Sequence, residues 1–195
     1  MFLTTISDEE ATGRTAEIYA AEREAMGFVM AATRCWTSRP DLLPLYEDFF
    51  EGVKANFSLP RRDWRLITLI AAKNVPSKYC SIVYGGQLVD DLGSAEQVIA
   101  VQRDFRSAGV SRRDVVMLSY AETVAQNASR IGQEDVDELR SVGFTDQQIS
   151  DIALCAALRC FVARFFDATG AGPEAFFLER SPEITEAFTA SLDRP

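Results

Sequence analysis

No stretch of this chain sustains the apolar–polar alternation of a half-buried strand, whereas helix start and stop signals recur along its whole length. That pattern predicts an all-α fold. Ser7 with Glu10 forms a capping-box pattern ahead of a helix from Arg14 to Met26, and Gly27 supplies the stop. Phe28 to Thr37 is short and apolar, and Arg39-Pro40 breaks the chain. Asp41 to Asn56 then puts Leu42, Leu45, Phe49 and Val53 on one face, which reads as a core face. Ser58-Leu59-Pro60 starts a buried helix from Arg61 to Lys73. Val75-Pro76 interrupts it, and a new helix is expected from Ser77 to about Leu92, with Gly85-Gly86 in its middle.

Gly93-Ser94 closes that helix, and Ser94 with Gln97 predicts a capping box for the next one. Ser111 caps Arg112 to Gln126, and a short acidic helix follows from Glu134 to Ser141. Thr145 with Gln148 boxes a long apolar helix that ends at Thr169-Gly170, and a last helix runs from Pro182 to Leu192. The expected organisation is one domain: an N-terminal helical arm (1–57), a helical core (58–170) and a C-terminal tail helix (171–195).

Composition narrows the chemistry. The chain of 195 residues has no histidine, which removes the Ser-His-Asp triad, the Cys-His dyad and His-ligated zinc. A net charge of −9 argues against nucleic-acid binding, which depends on Lys and Arg neutralising phosphates. The helix-turn-helix-like start at Phe144 to Ile149 is therefore read as ordinary capping. Four cysteines are too few for a disulfide scaffold. Cys155 and Cys160 diverge by about 140° on a helix, so no metal site and no cofactor are expected. No run approaches a membrane span, and the first residues do not read as a signal peptide. A cytoplasmic setting is the expectation.

One segment has the grammar of a site. With Ser77 as N-cap, Cys80 falls in the first helical turn, where free N–H groups and the helix dipole favour a thiolate, and Lys78 adds a cation. Tyr84, four residues on, shares its face and can donate a hydrogen bond to a thiolate or a peroxide oxygen. The sulfur is expected to face a small pocket with Arg65 at its rim. A lone cysteine in an apolar helix is also a common core residue, and Cys35, Cys155 and Cys160 are read that way.

The order of motifs carries a resemblance. Asp63-Trp64-Arg65, Asn74, Tyr79-Cys80 and Asp91-Leu92-Gly93 are followed by Val115 to Ala125, Gly143-Phe144-Thr145-Asp146 and Phe161-Val162-Ala163-Arg164. This resembles the alkyl hydroperoxidase D-like / carboxymuconolactone decarboxylase family over nearly the whole chain. The runs Glu10 to Tyr19 and Met26 to Val29 are similar to its peroxidase-related branch.

The resemblance implies an all-α bundle that assembles as a dimer, trimer or hexamer. It implies a site built from a Glu, a resolving Cys, a peroxidatic Cys and a His. Those positions fall here on Arg65, Ser77, Cys80 and Tyr84, so the peroxidatic Cys alone is kept. Ser77 cannot form a disulfide with Cys80, and a phenol is a poor base near neutrality.

Three functions follow as expectations: a one-thiol peroxidase reduced by an external thiol, a non-catalytic oligomeric small-molecule binder, or a lyase or isomerase on a lactone-like organic acid with Arg65 pairing its carboxylate. The aromatic residues from Phe161 to Phe188 add an independent reason to expect a homo-oligomer.

Overall fold

A computed structural model describes residues 1–192. Among them it has eleven α-helices and no strand. They are α1 (Gly13–Met26), α2 (Ala31–Arg34), α3 (Leu43–Ala55), α4 (Arg61–Asn74), α5 (Lys78–Leu92), α6 (Ala95–Asp104), α7 (Arg112–Asn127), α8 (Gln133–Ser141), α9 (Asp146–Thr169), α10 (Ala175–Arg180) and α11 (Pro182–Leu192). Two 3₁₀ turns follow α2 and α7.

The chain divides into two compact units. The first joins Met1–Phe57 to Phe165–Glu174. Here Tyr19 is fully buried and donates to the Ile6 carbonyl at 3.0 Å, while Trp36 stacks on Tyr46 and packs on Phe165. Asp8 pairs with both Arg23 and Arg34. The expected Ser7–Glu10 capping box forms, with Ser7 N–H donating to Glu10 Oε2 at 3.0 Å and Glu10 N–H donating to Ser7 Oγ at 3.3 Å. It closes a turn rather than a helix, because α1 begins only at Gly13.

The apolar face assigned to α3 needs correction. Leu45 and Phe49 are 66% and 55% exposed, and Leu43 is the buried residue of that helix. The helix is rotated from the expectation because a short helix with apolar residues on several sides presents two candidate stripes. Only packing chooses between them.

The second unit joins Ser58–Arg164 to the segment from Ala175 on. Its centre is α5, which packs on α4, α6, α10 and α11, while α4 also packs on α7. A clamp of opposite charges ties the starts of α4 and α7. Arg62 forms a bidentate pair with buried Asp114 at 3.0 and 2.8 Å, and Arg113 reaches buried Asp63 at 2.8 Å. Burial alone would raise the Asp114 carboxyl. The hydrogen bond and charge of Arg62 outweigh burial and hold it below the usual carboxylate range.

Capping follows the sequence signals at Ser111 and Thr145. Ser111 accepts from Asp114 N–H, and Thr145 and Gln148 exchange both bonds of their box. At Ser94 only half a box forms, because the Gln97 side chain donates to the Ala108 carbonyl at 2.7 Å instead. Helix α10 carries no strong capping pattern and is not legible in the sequence.

Gly85 is required by packing. A Cβ there would lie 2.5 Å from Phe188 Cε2 and 2.9 Å from Ile184 Cγ2, so α11 sits directly on the backbone of α5. Of the aromatic residues from Phe161 on, Phe166, Phe177 and Phe188 are buried, whereas Phe161 and Phe176 are exposed. No helix among the described residues is long and apolar enough to cross a membrane.

Candidate functional site

Cys80 occupies the third position of α5 because Ser77, in extended conformation, ends the Pro76 break and serves as N-cap. The Ser77 carbonyl accepts the Ser81 N–H at 3.1 Å, the first bond of the helix. The Ser77 side chain makes no capping bond and is fully buried. Tyr84 lies one turn beyond Cys80, at the i, i+4 spacing of a shared helix face, and is partly exposed.

The residue that joins them is Arg159 of α9. Its guanidinium donates from Nη1 to Cys80 Sγ at 3.4 Å and from Nη2 to Tyr84 Oη at 2.8 Å. The same guanidinium stands 4.5 Å from the centroid of the Tyr84 ring. Arg159 is only 4% exposed, so the cation is held in the interior. A guanidinium donor interacts more strongly with a thiolate or phenolate than with the neutral groups, and the strength grows as water is excluded.

The sequence reading missed Arg159, although a signal existed. Ile152, Cys155, Ala156, Val162, Ala163 and Phe166 form the buried stripe of α9, and Arg159 sits in the middle of it. A charged residue at the centre of an apolar helical stripe is rarely buried unless something pairs with it.

Arg65 is placed differently from the expectation. It pairs with Asp91 at 2.7 Å, near the C-terminal end of α5. Asp91 lies eleven residues beyond Cys80, about 16 Å along the helix. The cation expected at the rim of Cys80 is paired with Asp91 instead. Cys80 itself has no exposed surface, so the sulfur does not open onto a pocket in the way the sequence suggested.

The remaining cysteines behave as core residues. Burial pushes the Cys155 thiol up to about 12 and the Cys35 thiol up to about 11, and it raises that of Cys160 as well. Cys155 packs between α9 and α4, with Sγ 3.8 Å from the Trp64 carbonyl and 3.9 Å from Thr68 Oγ1. All four cysteines are free thiols. No group of three His, Cys, Asp or Glu among the described residues is arranged to hold a metal ion.

No protein-family model and no curated protein matches the sequence. Solved structures do match the fold. A peroxidase-related protein from Silicibacter sp. TM1040 superposes with a TM-score of 0.79 at 20% identity, covering 92% of each chain. An alkylhydroperoxidase AhpD core protein, peroxidase-related, from Ralstonia eutropha JMP134 gives 0.76 at 22% identity, covering 91% of this chain and 98% of that one. A cysteine-to-alanine variant of the debrominase Bmp8, in complex with 2,3,4-tribromopyrrole, gives 0.76 at 16% identity, covering 99% and 98%. The chain has the all-α fold of the alkylhydroperoxidase D core, as its motif order led us to expect. At these identities the likeness defines the fold and leaves the chemistry to the residues of this chain.

Proposed function

We propose that this protein is a one-thiol oxidoreductase in which Cys80 attacks an electrophilic oxygen of a peroxide. The observation that carries the reading is the buried guanidinium of Arg159 donating at once to Cys80 Sγ and Tyr84 Oη. The guanidinium fixes the sulfur in place and sets a charged donor 3.4 Å from it. With serine at position 77, no resolving thiol lies within the motif. The Cys80 thiolate takes the terminal oxygen of the hydroperoxide, giving a sulfenic acid and an alkoxide. One external thiol then condenses with the sulfenic acid to a mixed disulfide and water, and a second thiol releases Cys80 with an external disulfide. A reducing cytoplasm would supply such thiols, and a homo-oligomer is the working state we propose.

The two peroxidase-related fold neighbours support the oxidoreductase class, while the debrominase neighbour binds 2,3,4-tribromopyrrole. A second reading is favoured by the complete burial of Cys80: a core cysteine held by a structural arginine in a non-catalytic binding protein. The two separate on one measurement. The reduced protein is treated with one equivalent of an alkyl hydroperoxide and a sulfenic-acid trap, then mapped by mass spectrometry, with Cys80→Ser as control. Trapped sulfenate at Cys80 is expected. An unmodified Cys80 under conditions that oxidise free cysteine supports the core reading instead.

A further inference from the structure

We infer that Tyr84 is the proton donor for the reaction at Cys80, and that Arg159 holds the negative charge first on sulfur and then on the Tyr84 phenolate. This rests on the reading of Cys80 as nucleophile. The starting point is the direction of one hydrogen bond. A guanidinium has donors and no acceptor, so in the 2.8 Å contact Tyr84 Oη accepts from Arg159 Nη2. The hydroxyl hydrogen of Tyr84 therefore points away from Arg159. Among the described residues none accepts it, and the bond to Cys80 Sγ comes from Arg159 Nη1. Tyr84 is partly exposed, whereas Cys80 and Arg159 are buried, so an incoming molecule reaches this group from the side of Tyr84.

A chain with no histidine must find another acid for the leaving oxygen. The step balances on the residues present. The S–O bond forms as the O–O bond breaks; sulfur loses two electrons and the peroxide gains them. The departing alkoxide takes the Tyr84 proton and leaves as an alcohol. The site begins as guanidinium with thiolate and ends as guanidinium with phenolate beside a neutral sulfenic acid. Net charge in the buried group is unchanged, and no proton has to arrive from solvent during the step. A negative charge thus stays beside the buried Arg159 guanidinium throughout the step.

The substrate class follows. An alkoxide is a much stronger base than a phenolate, so an alkyl hydroperoxide gains from this donor. A peracid, whose carboxylate leaves unaided, gains little.

The test is the single-turnover rate of Cys80 oxidation, read by mass spectrometry, in the full chain and in Tyr84→Phe. With tert-butyl hydroperoxide the variant should lose about 10²–10⁴-fold, and with peracetic acid no more than about threefold. Equal losses with the two oxidants, or no loss with either, overturn the role of Tyr84 and leave the one-thiol reading standing. If wild-type Cys80 is oxidised by neither, the one-thiol reading fails and this inference with it. Should Tyr84→Phe fail to fold, 3-fluorotyrosine at position 84 keeps the shape with a stronger acid. It should accelerate the alkyl hydroperoxide reaction and leave the peracid reaction unchanged, and the absence of that selectivity overturns the inference.

Discussion

Two adjacent glycines in α5 should respond to alanine with opposite signs. At Gly85 the new Cβ would stand 2.5 Å from Phe188 Cε2 and 2.9 Å from Ile184 Cγ2, both well inside van der Waals contact. Phe188 and Ile184 are fully buried, so neither side chain has free space to turn into. To relieve the contact, α11 must move off α5 by about 1 Å, the kind of overpacking that costs about 1–3 kcal/mol. Alanine returns about 1 kcal/mol of helix propensity, leaving a net destabilisation of up to about 2 kcal/mol. At Gly86 the nearest atom is Ser181 Oγ at 3.8 Å, an ordinary contact. Gly86→Ala should keep the propensity gain and stabilise by about 0.5–1 kcal/mol.

The assay is the urea unfolding midpoint at constant slope, with melting temperature as a check at about 2–4 °C per kcal/mol for a chain of this size. A double-mutant cycle with Phe188→Leu tests the cause, since the smaller ring-less side chain should recover part of the Gly85→Ala loss. Gly85→Ala at or above wild-type stability with an unchanged slope would refute the close seating of α11.

Three further outcomes are expected. At pH 8 the folded protein should leave Cys155 and Cys35 unalkylated, since thiols near 12 and 11 are ionised to only about 10⁻⁴ and 10⁻³; quantitative labelling of either before unfolding would contradict their burial. Burial, then the charges of Glu22 and Glu51, push the Glu47 carboxyl from 4.5 to about 7. Because the folded value lies above the unfolded one, the protein is relieved of this penalty below about pH 4.5 and bears it in full above pH 7. Glu47→Gln should therefore stabilise by about 1–3 kcal/mol at pH 8 and by nothing near pH 4, and a pH-independent difference would show the carboxyl to be well solvated. Leu154 and Phe161 are exposed at seven-residue spacing on one face of α9, and we expect sedimentation to give a homo-oligomer that Phe161→Asp weakens; a monomeric wild type at micromolar concentration would remove that proposal.

Helix identity and punctuation are local properties, and they were legible in this sequence. The spacing of apolar residues, the caps at Ser111 and Thr145 and the stops at Gly27 and Gly93 depend on neighbours within about one turn, so the chain alone determined where most helices lie. The placement of Cys80 at the start of α5, with Tyr84 on its face, followed from the same local geometry.

Which face of each helix is buried, and which distant side chain meets another, depends on long-range packing. Leu45 and Phe49 matched an apolar stripe and face outward, while the Ser94 cap shares its box partner with the Ala108 carbonyl. The site shows the division most clearly. Arg65 was aligned with the Cys80 motif by sequence spacing, yet Asp91 binds it far along α5, and Arg159, 79 residues from Cys80 in sequence, supplies the cation. A buried charge has to be paired by whatever the tertiary fold brings within a few ångströms. Sequence spacing measures neighbours along one helix and carries no information about that distance across three.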